Sequence, residues 1–132
     1  MTPPLILLAG MMCDARLFGP QSDAMPLTVL PITGADTVQA LASEVLARAP
    51  DHFALGGLSM GGIVAMEVVR QAPERVAGLA LMDTNPLAEA EAVKARRGPQ
   101  IEKAARGQLA EVMRDEMKPN YLTDGPQRAA IL

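Results

Sequence analysis

The sequence predicts an α/β fold, with a parallel sheet of about four strands and helices on its faces. Short segments that are apolar throughout alternate with segments whose apolar residues recur at helical spacing. Continuous apolar runs indicate strands that are buried on both faces, as in parallel sheets covered by helices. The 132 residues have the length of one domain, and 49% of hydrophobic residues is enough to form a core.

Four strands are predicted, at residues 5–9, 27–32, 53–58 and 76–82. Gly10 closes the first strand, and Pro31 lies near the end of the second, where a sheet tolerates proline. In a doubly wound sheet the first and third strands are neighbours, and ligands bind where the direction of winding reverses. We therefore expect the order second, first, third, fourth, with the loops after the first and third strands side by side.

Helices are predicted between and after the strands, at residues 37–49, 60–71, 88–97, 99–106 and 108–118. Residues 14–25 are polar and are interrupted by Gly19-Pro20, which predicts at most a short helix followed by a turn. The last three helices have narrow apolar stripes, which suit packing on another layer rather than a separate core. We expect Gly98-Pro99 to separate the first two of these three helices.

One motif carries chemistry, the G-x-S-x-G sequence Gly57-Leu58-Ser59-Met60-Gly61. A predicted buried strand precedes it, and a predicted amphipathic helix follows it. A serine that is exposed at a strand end needs an abrupt turn with a strained backbone, and glycines two residues to either side avoid a collision there. Ser59 is therefore the candidate nucleophile. The alternative is a serine that only caps the following helix.

Two backbone amides are candidates for stabilising negative charge beside this serine. The amide of Met60 lies at the positive end of the predicted helix. The amide of Met11, in the turn after the first strand, is expected beside Ser59 because their two strands are neighbours, although an ordinary glycine turn is the alternative. We expect Met11, Met12 and Cys13 to line the mouth of a pocket, although they would equally suit a core.

Three segments, LLAGMMCDARLFGPQ, ALGGLSMGGIVAMEVV and LALMDTNP, resemble the α/β-hydrolase superfamily in their order and spacing. They look most similar to its lactonase- and esterase-like members, which carry a helical lid. The resemblance implies a partial α/β-hydrolase fold, with residues 1–86 in the core and residues 87–132 as the start of the lid. It also implies that Ser59 is the nucleophile and that the amides of Met11 and Met60 form an oxyanion hole. It implies no cofactor.

The sequence departs from that superfamily in the catalytic partners of the serine. Members continue past the lid with two strands that carry an acid and then a histidine, and the sequence to Leu132 has neither strand. The single histidine, His52, precedes Ser59 by one strand of about 20 Å, so we expect it at the opposite edge of the sheet. Asp83 follows the fourth strand, where some members place the acid; a turn and helix-cap role is the alternative.

Composition excludes several other classes of function. A formal charge of −3 argues against nucleic acid or an anionic membrane as the main partner. With one cysteine and one histidine, the chain has no internal disulfide framework and no cluster at metal-ligand spacing. The apolar run at residues 5–13 lacks the basic residues that precede the core of a signal peptide. We therefore expect a cytoplasmic protein, and the resemblance to α/β-hydrolases implies a small-molecule ester or lactone substrate.

Three functions remain open on the sequence. The chain is the N-terminal portion of a serine hydrolase that cleaves an ester, lactone or similar acyl bond and is inactive alone, a binding module without a catalytic base, or a half-molecule that another chain completes. The fourth strand, residues 76–82, carries no charge and is expected at an edge of the sheet. Such an edge pairs readily with another chain, so we expect a homo-oligomer, most simply a dimer, through this strand or the lid helices.

Overall fold

A computed structural model describes residues 2–131 of the chain. Its contacts divide it into two compact units, the first ending at Leu87 and the second beginning at Ala88. The candidate site lies in the first unit. The interpretation of the two units as a hydrolase core and the start of a lid stays a prediction.

The first unit is built on a four-stranded parallel sheet. Its strands are β1 (Leu5–Leu8), β2 (Thr28–Val29), β3 (Phe53–Leu58) and β4 (Val76–Met82). They lie in the order β2-β1-β3-β4, and each neighbouring pair is parallel. The predicted α/β class and strand order are therefore confirmed. Leu8 pairs with Gly57, so that β1 and β3 end next to each other at the same edge of the sheet.

The second strand is shorter than the sequence predicts. A strand is expected over residues 27–32, whereas β2 has two residues. The amide of Leu30 still donates a 3.1 Å hydrogen bond to the carbonyl of Leu7. Pro31 has no amide proton, so the ladder with β1 cannot continue through it. The first strand also ends one residue early, at Leu8 rather than Ala9.

The helices of this unit are α1 (Gly19–Ala24), α2 (Val38–Arg48) and α3 (Met60–Gln71). Gly19-Pro20 begins α1, directly after a 3-10 turn, because proline in the first turn of a helix loses no intrahelical hydrogen bond. The side chain of Thr37 accepts a 3.2 Å hydrogen bond from the amide of Ala40 and so caps α2. The bounds of α3 are those predicted from its apolar spacing.

The core lies on both faces of the sheet, because alternate residues of a strand point to opposite sides. Residues of β1, β3, α2 and α3 form the larger cluster; its largest fully buried members are Phe53, Leu8, Leu55, Val45, Val64 and Val68. Leu7, Ala9 and Phe18 form a smaller cluster. Full burial of a side chain of this size stabilises the fold by about 1.5–3 kcal/mol. The two clusters thus fix the strand ends that carry the site.

The second unit contains α4 (Glu91–Ala105), α5 (Leu109–Glu111), which continues into a π-helical segment (Val112–Met117), and α6 (Arg128–Ile131). The expected break at Gly98-Pro99 is wrong, because α4 runs through Pro99. A proline removes one hydrogen bond from a helix, and the alanine and charged residues around it favour the helical state. The ammonium group of Lys103 lies 2.5 Å from the carboxylate of Glu116, which joins α4 to the π-helical segment.

Among residues 2–131, none of the helices combines the length and the apolar character that crossing a bilayer requires.

Candidate active site

Ser59 occupies the abrupt turn between β3 and α3. Its backbone has φ 52° and ψ −116°, a left-handed conformation that is strained for a residue with a side chain. The side chain of Ser59 makes no capping hydrogen bond to α3, although it precedes the first helical residue. The residue is exposed. The alternative role as a helix cap is therefore not what the structure shows, and the hydroxyl is available to a ligand.

The two glycines of the motif are required by close approaches of the backbone. A Cβ atom on Gly57 would lie closer than 3.0 Å to the backbone of Gly61 and Gly62. A Cβ atom on Gly61 would collide with the carbonyls of Leu8 and Ala9 at the end of β1. The first contact allows the chain to turn sharply at Ser59. The second brings the start of α3 against β1.

Hydrogen bonds from the end of β4 and from the residues after it also hold the turn at Ser59. The amide of Ser59 donates a 2.9 Å hydrogen bond to the carbonyl of Met82, the last residue of β4. The hydroxyl of Thr84 donates a 2.7 Å hydrogen bond to the carbonyl of Ser59. Thr84 also fills the space next to Gly62, where a Cβ atom would lie 2.6 Å from its methyl group. Sequence reasoning missed Thr84, because its part depends on contacts between segments far apart in the chain.

Backbone strain gathers at one edge of the sheet. Among the described residues, the non-glycine positions with positive φ are Met12, Ser59 and Asp83, at 58°, 52° and 46°. Ser59 and Asp83 come directly after β3 and β4, and Met12 lies in the loop that follows β1. Such conformations are uncommon and concentrate at functional sites. This is also the edge at which open parallel sheets bind their ligands.

The loop after β1 lies beside Ser59, as the strand order predicts. A Cβ atom on Gly10 would lie 3.6 Å from the Cβ of Ser59. Met11 follows Gly10, and its amide makes no hydrogen bond to another described residue. Met60 is the first residue of α3, where backbone amides have no acceptor within the helix. Both amides therefore lie in the backbone around Ser59 and can donate hydrogen bonds to a negatively charged oxygen.

A cavity of about 620 Å³ opens next to these residues. It is lined by Ala9, Gly10, Met11, Met12, Cys13, Asp14, Ala15, Val29, Leu30, Pro31, Ile32, Thr33 and Met60. The pocket position expected for Met11, Met12 and Cys13 is therefore observed. The wall from Val29 to Thr33 was not predicted, because residues 29–32 belong to the predicted second strand and Thr33 carries no motif.

The charged residue of the cavity wall is Asp14. The guanidinium of Arg16 approaches its carboxylate at 2.8 Å in an exposed ion pair. Hydrogen bonds from the side chain and then from the backbone amide of Arg16 hold the pKa of Asp14 below its usual value of 3.8. Asp14 is therefore an anion at neutral pH, with its charge directed to Arg16.

The two candidate partners of the serine, His52 and Asp83, lie at opposite edges of the sheet. His52 is exposed and immediately precedes β3, whereas Ser59 immediately follows it, so the six residues of the strand separate them. Six strand residues span about 20 Å. Asp83 lies on the correct edge, after β4, and is exposed. Among the described residues, no group of three or more His, Cys, Asp or Glu side chains could hold a metal ion.

Comparison with known sequences finds esterases. No family model matches the chain. Two curated relatives are pimeloyl-[acyl-carrier protein] methyl ester esterases, from Sodalis glossinidius and Aromatoleum aromaticum. The first is 43% identical over 53 residues, which cover 40% of this chain and 21% of the relative. The second is 38% identical over 50 residues, which cover 38% and 20%. The matched segments thus span about a fifth of each curated relative.

Comparison with solved structures agrees with the sequence relatives. A thermophilic esterase from Thermogutta terrifontis is similar with a TM-score of 0.73 and 27% sequence identity. The alignment covers 90% of this chain and 50% of the esterase, so the chain spans about half the length of that protein.

Proposed function

The chain belongs to the α/β-hydrolase superfamily, and on that premise we propose that it acts in the hydrolysis of carboxylic esters with Ser59 as the nucleophile. The observation that carries the proposal is the conformation of Ser59, which has a positive φ and a hydroxyl that does not cap α3. A strained serine at a strand-to-helix turn presents its oxygen to a substrate at the sheet edge. The relatives by sequence and by structure are esterases, which supports the same chemistry.

In the proposed reaction, Oγ of Ser59 attacks the ester carbonyl carbon and gives up its proton to a base. The carbonyl oxygen becomes negatively charged, and the amides of Met60 and Met11 donate hydrogen bonds to it. The tetrahedral intermediate then expels the alcohol, which takes a proton, and leaves an acyl group on Ser59. Water attacks this acyl-enzyme, releases the carboxylic acid and restores the hydroxyl.

The chain does not place a histidine beside Ser59 to act as the base in this scheme. Its single histidine, His52, lies beyond the opposite end of β3 from Ser59. We therefore propose that the 132 residues by themselves hydrolyse esters slowly, since loss of a triad member removes several orders of magnitude of rate and leaves about 10³–10⁴ over water in serine proteases. A base from another polypeptide would restore the rate. Asp83 is the candidate acid of that assembly.

The names of the relatives indicate only the type of bond in the substrate. Their names specify a methyl ester of an acyl group. We propose a carboxylic ester as the bond that is cut, and a lactone offers the same carbonyl to Ser59. The expected acyl-enzyme is the same in kind for both substrates.

Covalent labelling tests the nucleophile without depending on a base in the protein. The intact chain is treated with diethyl p-nitrophenyl phosphate at alkaline pH, where hydroxide removes the serine proton, and the labelled peptide is identified by mass spectrometry. Ser22 and Ser43 serve as internal controls. The hydroxyl of Ser43 is already hydrogen-bonded to the carbonyl of Gln39 and to the side chain of Gln71. We expect Ser59 to react at least ten times faster than either. Equal labelling of the three serines would contradict the proposal.

A further inference from the structure

The cavity beside Ser59 indicates which kind of ester fits the site. We propose that it binds an uncharged hydrocarbon chain of the substrate, on the acyl or the alcohol side of the ester bond. This inference rests on the proposed function for the position of the bond, but it concerns binding and is tested without turnover. The cavity volume of about 620 Å³ lies within the range of small-molecule sites.

The cavity wall is chemically suited to a hydrocarbon. Most of its side chains are aliphatic or thioether groups, from Val29, Leu30, Ile32, Met11 and Met60 among others. Its lining includes no Lys, Arg or His that could neutralise a carboxylate or phosphate. An anionic group would have to leave water without a partner of opposite charge, which is strongly unfavourable.

The negative charge of Asp14 on the cavity wall also disfavours an anionic ligand. Asp14 is an anion, and its partner Arg16 is already engaged by both carboxylate oxygens. A carboxylate or phosphate entering past Asp14 meets a like charge rather than an available cation. An ester with two uncharged arms avoids both costs.

The position of the cavity connects it to the reacting atoms. Its lining includes Gly10 and Met60, and Gly10 lies against Ser59, at 3.6 Å between the Cβ position of the glycine and that of the serine. The lining also includes residues that follow β2, among them Ile32 and Thr33. A chain bonded to a carbonyl group at Ser59 can therefore run along the sheet edge, past the end of β1 to the end of β2.

The methionines at the cavity make its width adjustable. Met11 is 38% exposed and Met12 is 59% exposed, so neither is fixed by close packing. A methionine side chain is unbranched and adapts to the shape of an apolar ligand. We therefore expect binding to strengthen from a two-carbon to an eight-carbon chain.

Methyl resonances of the methionines test the proposal directly. The chain carrying Ser59→Ala, labelled with ¹³C at the methionine methyl groups, is titrated with methyl octanoate, octyl acetate, methyl acetate and octanoate. We expect the resonances of Met11, Met12 and Met60 to shift with one or both eight-carbon esters. Those of Met25 and Met66, in the first unit but not lining the cavity, should stay unchanged. Methyl octanoate and octyl acetate distinguish the acyl from the alcohol side by which binds more tightly. Octanoate and methyl acetate are expected to bind at least tenfold more weakly.

A pair of substitutions locates the binding. Thr33 is exposed and lines the cavity, so Thr33→Trp fills it and should weaken binding of the octyl ester at least tenfold. Thr28 is exposed on β2 but does not line the cavity, so Thr28→Trp is the matched control and should change little. Octanoate binding as tightly as the ester, or equal affinities of the two variants, would overturn the proposal. Because these measurements use the Ser59→Ala chain, they test binding in the cavity independently of the labelling, which tests Ser59 as the nucleophile.

Discussion

The hydroxyl of Thr84 donates a 2.7 Å hydrogen bond to the carbonyl oxygen of Ser59, which ties the end of β4 to the turn that exposes the serine. The same carbonyl accepts hydrogen bonds from the amides of Gly62, at 2.9 Å, and Ile63, at 3.3 Å. Three donors from two segments therefore fix the peptide group that follows Ser59. The peptide group they hold carries the amide of Met60, one of the two proposed oxyanion donors.

Thr84→Val removes this hydrogen bond but keeps the shape of the side chain. We expect the free energy of unfolding to fall by about 0.5–1.5 kcal/mol, since a neutral hydrogen bond contributes about that much and the Ser59 carbonyl keeps two other donors. Urea unfolding followed by circular dichroism measures the change. Thr28→Val is the control, because the exposed side chain of Thr28 makes no hydrogen bond to a described residue. Equal losses in the two variants would show that the bond to Ser59 has no special weight.

Gly61→Ala separates the start of α3 from β1, since the new methyl group collides with the carbonyls of Leu8 and Ala9. Relief of the collision requires a backbone shift, so we expect a loss of about 3 kcal/mol or more, at the upper end for overpacking. Gly78→Ala in β4 is the control, because nothing lies within 4 Å of the position of its Cβ atom. Thermal unfolding of the two variants measures the difference, and similar melting temperatures would contradict the predicted collision with β1.

Part of this architecture follows from local sequence. The bounds of β3, α3 and β4 are those predicted, because each is an apolar run or stripe with a clear stop: β3 ends before Ser59, α3 before Ala72-Pro73 and β4 before the polar residue Asp83. Proline is harder to interpret, since Pro31 ends a sheet ladder while Pro99 lies inside α4. Its effect depends on whether the lost amide had a partner.

The candidate site was only partly predictable for a similar reason. Ser59, Met11 and Met60 are indicated by a contiguous motif and by strand order. Thr84 and the cavity wall at Ile32 and Thr33 depend on how separate strand ends meet in space. No periodicity or spacing in the sequence encodes those contacts.

Arg75→Met tests a cap that holds α2 against the strands. The guanidinium of Arg75 donates hydrogen bonds to the carbonyls of Leu46, Ala49 and Pro50, at 3.1, 2.9 and 2.8 Å. Methionine keeps an unbranched side chain but removes every donor, together with the guanidinium carbon that lies 5.7 Å from the centroid of the Phe53 ring. We therefore expect a loss of about 1.5–3 kcal/mol, as for hydrogen bonds to a charged group. Arg48→Met, at the exposed last residue of α2, is the control. Denaturant unfolding that shows equal losses would argue against the cap.

Glu67 makes the stability of the first unit depend on pH. Hydrogen bonds from Arg70 and then from Gln71 lower the pKa of Glu67 from 4.5 to about 2. The folded state thus prefers the ionised carboxylate, so its stabilisation is complete above pH 4.5 and is lost as the pH falls toward about 2. We expect Glu67→Gln to lower the melting temperature at neutral pH, with the difference from the wild type shrinking across that interval. Glu74→Gln, at an exposed site, is the control; a difference that stayed constant with pH would contradict the assignment.

Strand β4 is expected to join two copies of the chain. It is an edge of the described sheet, residues 77–81 are exposed, and Leu79 and Leu81 are 43% and 42% exposed. An uncharged edge of this length offers unpaired backbone groups to another strand. Antiparallel pairing about a two-fold axis at Leu79 places Val76 of one copy opposite Met82 of the other, so that the whole strand is used.

Light scattering after size-exclusion chromatography should give twice the 13.9 kDa chain mass. Leu79→Lys places a charge on the edge and should give the monomer, whereas Leu17→Lys, at a similarly exposed leucine outside the sheet, should leave the dimer intact. A monomeric wild type, or a dimer that survives Leu79→Lys, would rule out this interface.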